Sequence, residues 1–310
     1  MGAHLSLLKL PQLVQKEIIS MMDGYELMSI SLCSKRSKAL LKLLNRPDTH
    51  MIVQIHGKIQ ISIENMRELF ELQCRILQWT VTSPFGGVWE HNKYKLKQWI
   101  QHFSMVFKCK KVSFIFFVGC ERFRVDDIQK AFEHLEKEAL RITHQSTPII
   151  TQLLTTFLPV NNLYLLATPP TSLFRQSLRH EYNELFLDGT VVFEDLHAMN
   201  CKIGRANRAN LSEIEVNTFL KNWVHGSHPR LREQQLKPER RLNMVQVLDG
   251  LTPQIWKEKR RFLVSNVGQR DLEEGNLITA ADGKRMRIYV YDDVVDIFDN
   301  FQIFLKSFNF

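Results

Sequence analysis

The chain has 310 residues, is 44% hydrophobic and 24% charged, and carries a formal net charge of +8. That composition excludes a disordered or collagen-like chain and provides for one sizeable core or two. The five cysteines, Cys33, Cys74, Cys109, Cys120 and Cys201, form no C-x-x-C pair, so the reading excludes a disulfide framework and a zinc site and expects free thiols in a reducing compartment, cytoplasmic and/or nuclear.

The opening "MGAHLS" fits the acylation pattern M-G-x-x-x-S at Gly2, but only Lys9 is basic in the first ten residues and no second anchor is near. The next stretch, "LKLPQLVQKEIISMM", is apolar but interrupted by Gln15, Lys16 and Glu17, which excludes a signal-peptide core. Its spacing predicts a helix with Val14, Ile18, Ile19 and Met22 on one face, Pro11 in the first turn and Asp23-Gly24 as the break. Second and third helices are predicted over "YELMSISLCS" and "SKALLKLL", ending at a linker, Asn45-Arg46-Pro47. A unit of about 40 residues is near the lower limit of independent stability, so some of its many leucines and isoleucines must face the rest of the chain or a partner.

The ordered set Leu10-Pro11, Ile18-Ile19, Leu27, then Ser31 to Ser34 followed by Lys35-Arg36, resembles an F-box, with Tyr25 and Met28 departing from commoner residues. The resemblance implies docking onto the adaptor protein of a cullin–RING ubiquitin ligase and, through it, a cullin. The implied adaptor-binding residues are Leu8, Leu10, Pro11, Val14, Ile18, Ile19, Leu27, Ser31 and Leu32, with Lys35 and Arg36 on the rim.

Beyond the linker, "HMIVQIHGKIQISI" predicts a hairpin turning at Gly57-Lys58, "CRILQWTV" a strand, and "YKLKQWIQHFSMVF" a helix. Short apolar strands then recur: "VSFIFF" at 112, "ALRIT" at 139, "NLYLLA" at 162, "ELFLDG" at 184, a weaker "KIGRAN" at 202 and "RLREQQL" at 230. Their starts are 18 to 28 residues apart, close to the leucine-rich-repeat range of about 20–29. Helices are predicted between them over "VDDIQKAFEHLEKE", "PIITQLLTTFL", "VFEDLHAM" and "LSEIEVNTFLKNWV", with Asp126 an N-cap and Ser212 and Glu215 a capping box. A doubly wound sheet shares this alternation, but the Gly-rich phosphate loop it usually carries is missing, so the expectation is a solenoid. At the far end a hairpin is predicted at Asp282-Gly283, and Phe298, Phe301, Phe304 and Phe308 fall at helix-like spacing.

The expected fold class is α/β (α+β overall): an N-terminal three-helix unit, then a leucine-rich-repeat-like strand–helix solenoid and a C-terminal hairpin. The expected divisions are 1–45, a connecting region 46–110, repeats 111–245 and a C-terminal cap 246–310. Residues 184–232 resemble the type 2 F-box-associated domain of a large nematode family, through Leu187-Asp188-Gly189, Asn200-Cys201-Lys202, the helix reaching Phe219 to Trp223, Gly226-Ser227 and Pro229-Arg230-Leu231.

The charge is uneven. Residues 1–46 carry seven Lys/Arg against three Asp/Glu, residues 202–261 thirteen against six, and the tail from 262 five against eight. The basic segment points to an acidic protein target, with Arg205, Arg208, Arg230 and Arg232 as its contacts; it lacks any RNA- or DNA-binding signature. His225 and His228 flank Gly226-Ser227 without acidic or thiol partners and read as a helix C-terminus. No catalytic, metal or cofactor residue is assigned, and no stretch reaches the length of a membrane helix. The expected function is the target-recognition subunit of an SCF-type ubiquitin ligase; the alternative is a leucine-rich-repeat-like protein-binding module with no ligase role.

Overall fold

The computed structural model describes residues 7–42, 47–64, 69–75, 78–83, 87–91, 93–167, 172–264, 268–280, 283–293 and 300–308. It divides into two compact units, residues 1–144 with 155–157, and residues 145–154 with 158–310.

The first unit begins with three helices, α1 (Gln12–Ser20), α2 (Gly24–Cys33) and α3 (Lys35–Lys42). Asp23 caps α2 in a reciprocal capping box with Glu26, which is why the chain can restart a helix only three residues after α1 ends. Five strands follow, β1 (Thr49–Ile55), β2 (Ile59–Ile63), β3 (Leu69–Arg75), β4 (Gln78–Thr82) and β5 (Val88–Glu90), each antiparallel to the next. Helix α4 (Leu96–Phe107) ends on Lys108 in the left-handed conformation, and β6 (Cys109–Phe116) returns parallel to β1. Helix α5 (Val125–Phe132) leads to β7 (Glu136–Ile142), parallel to β6. The two-residue alternation buries Met51, Val53 and Ile55 of β1 and Ile59, Ile61 and Ile63 of β2. Against them lies one stripe of α4, with Trp99, Ile100, Phe103 and Phe107 buried.

The second unit holds most of α6 (Thr147–Phe157) and then alternates strand and helix: β8 (Asn162–Leu165), α7 (Ser172–Leu178), β9 (Tyr182–Val191), α8 (Phe193–Ala198), β10 (Cys201–Ala209), α9 (Glu213–Val224), β11 (Glu233–Pro238) and α10 (Met244–Val247). Strands β8 to β11 are parallel neighbours. Leu163, Leu185, Leu187, Ala206 and Leu236 are buried on one face. Ser212 and Glu215 form the expected capping box of α9, and the Asn217 amide donates to the Val247 and Asp249 carbonyls at 2.9 and 2.8 Å, tying α10 to α9. Four antiparallel strands complete the unit: β12 (Gln254–Val264), β13 (Gly268–Thr279), β14 (Arg285–Asp293) and β15 (Asn300–Phe308), the last pairing antiparallel with β11.

Several expectations are corrected. "CRILQWTV" spans the end of β3 and the start of β4, and is therefore a hairpin and not one strand. The helix expected through Glu138 stops at Phe132, and Glu136 to Glu138 begin β7, where Lys111 of β6 reaches both Glu136 (3.7 Å) and Glu138 (2.8 Å). Arg124, not Asp126, occupies the N-cap of α5; Asp126 and Asp127 sit in the first turn, favourable to the helix dipole. Phe301, Phe304 and Phe308 belong to strand β15, not a helix. The C-terminal hairpin is present as β13–β14, within a larger antiparallel set. Gly2, Asn45-Arg46, Asp282 and Phe298 lie outside the described residues.

Candidate docking surfaces and an arginine–histidine pocket

Residues named from the N-terminal pattern separate into two groups. Ile19 and Leu27 are each 1% exposed and Ser31 3%, so they hold the unit together instead of meeting a partner. The Ser31 hydroxyl donates to the Met28 carbonyl (2.6 Å), and its oxygen lies 2.7 Å from Nε2 of His102 on α4. Burial, reinforced by the charges of Lys38 and His91, holds His102 down at about 4, so the imidazole is neutral and its Nε2–H donates to Ser31. Tyr25, a departure from the commoner pattern, makes the second clamp. Its ring packs on Phe70 (5.2 Å) and Trp89 (6.2 Å), and its hydroxyl accepts from the Leu69 amide (3.2 Å). Trp89 Nε1 donates to Ser29 Oγ at 3.0 Å.

The remaining residues of that pattern lie at the surface. Pro11, Lys35 and Arg36 are exposed, and Leu8, Leu10, Ile18 and Leu32 are half-buried. The Gln15 amide, itself buried, donates to the Leu10 carbonyl (2.8 Å) and fixes the chain just before Pro11. Val14 is 41% exposed, and Leu13 and Met21, which sequence reasoning did not single out, are 73% and 77% exposed. Val14 and Met21, the C-cap residue of α1, are seven residues apart, so they lie toward one side. Leu13 and Val14 on α1 and Met21 at its C-cap thus leave an open apolar side at this short helix.

In the second unit the parallel strands present a polar face opposite the buried leucines. Tyr164, Phe186, Arg205 and Gln235 lie side by side in register across β8 to β11. Arg205 pairs with Glu184, whose other oxygen accepts from the Tyr164 hydroxyl (2.9 Å). Arg208, exposed and in the left-handed conformation, donates to the Asp188 carbonyl (2.7 Å) and lies 3.3 Å from its carboxylate. Arg230 and Arg232 precede β11, and the Arg232 amide donates to the Lys202 carbonyl of β10.

Arg230 lines a cavity of about 330 Å³ with Arg179, His197, Asn200 and His228. His225 behaves as expected of a helix end, with Nδ1 donating to the Lys221 carbonyl (2.6 Å) and Gly226 following at φ 90°. His228 does not. It is buried, 4.9 Å from the Phe219 ring and 5.5 Å from His197, and burial, then His197, pushes it down to about 4 against a hydrogen bond to the Met199 carbonyl. In the first unit a wider cleft of about 790 Å³ has Arg122 and Arg124 near the stacked Trp79 and Phe123, but Asp127 also lines it and its Lys58 is paired with Glu71.

Among the described residues no group of three His, Cys, Asp or Glu could hold a metal ion. Burial pushes the Cys109 and Cys120 thiols up to about 11 and Cys201 to about 12, far from a nucleophile. Among the described residues no helix is long and apolar enough to cross a membrane.

Comparison with protein-family models matches an F-box domain over residues 7–48 and an F-box associated region over residues 173–236. No curated protein and no solved structure matches the chain. The first match covers the helices with the exposed apolar side of α1, and the second runs from α7 into β11 and includes the arginine–histidine pocket: the chain carries an F-box domain and, further on, an F-box-associated region.

Proposed function

We propose that this chain is the target-recognition subunit of an SCF-type cullin–RING ubiquitin ligase. Its F-box helices dock the ligase adaptor and, through it, a cullin, and the rest of the chain holds a protein target. The observation that carries the reading is the coincidence of the F-box match with an exposed apolar side of α1. The docking residues are narrowed to Leu10, Pro11, Leu13, Val14, Ile18 and Met21, with Lys35 and Arg36 on a polar rim, an apolar centre with a charged border being the usual anatomy of such contacts. The parallel strand–helix part of the second unit is read as leucine-rich-repeat-like, with its outward strand face and nearby arginines available to a target. The chain would supply proximity, raising the effective concentration of a target lysine near the conjugating enzyme, and would itself break no bond. The chain would work in the cytoplasm, the nucleus or both.

A second reading has a specific observation behind it: the N-terminal helices are locked to α4 and β3, as a cap on a stand-alone binding module would be. One experiment separates the two. Full-length chain and a Leu13→Glu/Val14→Glu variant are used to capture purified adaptor. The ligase reading expects capture by the first and loss with the second, at an unchanged unfolding midpoint. Failure of the unaltered chain to capture adaptor would leave the module reading.

A further inference from the structure

Four buried side-chain nitrogens among the described residues have no hydrogen-bond partner, and two of them, His228 Nε2 and Arg230 Nη1, belong to the cavity of about 330 Å³ within the F-box-associated region. Buried polar groups are almost always satisfied, and a group left unmatched costs about 1–3 kcal/mol, so two at one cavity call for a partner that the chain does not supply. Arg230 Nη1 lies 3.1 Å from Glu181 Oε2, but at an angle that forms no hydrogen bond, and the Glu181 side chain is 75% exposed. The guanidinium therefore has a loosely held carboxylate beside it and room for another.

The chemistry of the missing partner follows from the two atoms. The His228 ring gives one nitrogen to the Met199 carbonyl, which leaves Nε2 as a lone-pair acceptor seeking a donor. Arg230 seeks an acceptor, and Arg179 adds a second cation to a lining that contains no carboxylate. Met199 and Leu231 supply apolar walls. The volume stands at the low end of ligand cavities, enough for one or two amino-acid side chains. We propose that this pocket receives an acidic side chain of a protein target, its carboxylate held between Arg179 and Arg230 and a neighbouring peptide N–H donated to His228 Nε2. The proposal deepens the target-capture reading and rests on it for its place in a ligase, although the binding itself needs no ligase.

The probe is an acetylated, amidated, fluorescently labelled octapeptide of alternating Glu and Leu, which has no terminal carboxylate, titrated against full-length chain by anisotropy. Its Gln-for-Glu counterpart, the same peptide with a free C-terminus, and inorganic phosphate as competitor are run in parallel. The expected result is saturable binding of the Glu peptide that weakens about tenfold or more in Arg179→Ala/Arg230→Ala, as loss of two charge-assisted contacts implies. Glu181→Gln, which removes the competing carboxylate, should tighten it. On binding, the His228 ring resonances should shift. Equal binding of the Gln peptide, no binding, or an unchanged affinity in the arginine variant would overturn the proposal. So would displacement of the peptide by stoichiometric phosphate, or binding only with a free C-terminus. Adaptor capture is measured on the same preparations. Its loss in the unaltered chain would count against the ligase reading alone, whereas failed peptide binding with capture intact would count against the pocket alone.

Discussion

Replacing Tyr25 with alanine should loosen the F-box helices from the sheet of the first unit, and the loss can be worked from its contacts. The ring is half-buried, 5.2 Å from Phe70 in an edge-to-face arrangement and 6.2 Å from Trp89 in a stacked one. Aromatic pairs of this kind contribute about 0.5–1.5 kcal/mol each beyond area burial. The hydroxyl accepts from the Leu69 amide, a net contribution of about 1 kcal/mol. With the apolar surface re-exposed, the alanine variant should lose about 3–4 kcal/mol, against about 1 kcal/mol for Tyr25→Phe, which keeps the ring. Urea unfolding followed by tryptophan fluorescence reads this directly, because Trp89 is one of the partners. Equal losses in the two variants would show that the ring contacts carry no stability. Deletion of residues 1–46 should do more harm, since it uncovers Phe70, Trp89 and His102 together; an unchanged midpoint for the remaining chain would refute the whole account of a locked F-box.

Three further outcomes are expected. His102 and His228 are both held at about 4, below their ordinary value near 6.5, so each is neutral in the folded chain and takes up a proton on unfolding between those values. Stability is therefore undiminished by them above about pH 6.5 and falls as pH drops toward about 4, by on the order of 2 kcal/mol per histidine at about pH 5; urea midpoints across that range should flatten in His102→Leu, and a slope unchanged by that variant would remove His102 from the account. Gly204→Ala places a methyl 2.0 Å from Gln234 Oε1 and 2.8 Å from its Cδ, inside a side chain that is 1% exposed, and should cost about 1–3 kcal/mol of overpacking in a thermal melt, where a neutral result would mean that Gln234 can swing aside. Glu213→Gln should free Arg240, whose two terminal nitrogens lie 2.8 and 2.5 Å from the two carboxylate oxygens, and lower the hydrogen-exchange protection of the Asn243 amide that the same carboxylate accepts; unchanged protection would show that the contact does not order this turn.

Strands and helices were legible wherever one face is buried and the period is clear. Met51, Val53 and Ile55 alternate and form β1, and Trp99, Ile100 and Phe103 stripe α4. Legibility failed where polar residues carry the element. Glu136, Lys137 and Glu138 have little strand propensity, and only their place beside β6, with Lys111 across the ladder, makes them β7. Helix α7, seven residues after a gap in the apolar pattern, left no periodic signal to find. For the docking surface, the spacing identified the helices but not what each side packs against. Ser31 is internal because His102, more than 35 residues further on, comes to meet it, just as Phe70 and Trp89 come to meet Tyr25; Ile19 and Leu27 are buried as well. For the same reason the spacing could not show that Leu13 and Met21 stand open. The pocket around His228 was missed because Arg179, Asn200 and Arg230 converge only through the parallel crossovers.

The alternation along β8 to β11 also bears on how such a chain could change its surface. Leu185 and Leu187 of β9 point to the interior, while Glu184, Phe186 and Asp188 between and beside them remain partly open. The two sets are written into one strand yet answer to different demands, one to the packing of the core and the other to contact with solvent. Substitutions at the open positions can accumulate with little effect on folding, because they leave the buried set untouched. Such a sheet is a fixed frame with an interchangeable surface, and a duplicated gene encoding it could alter a few outward residues while its buried set and its helices stayed as they were.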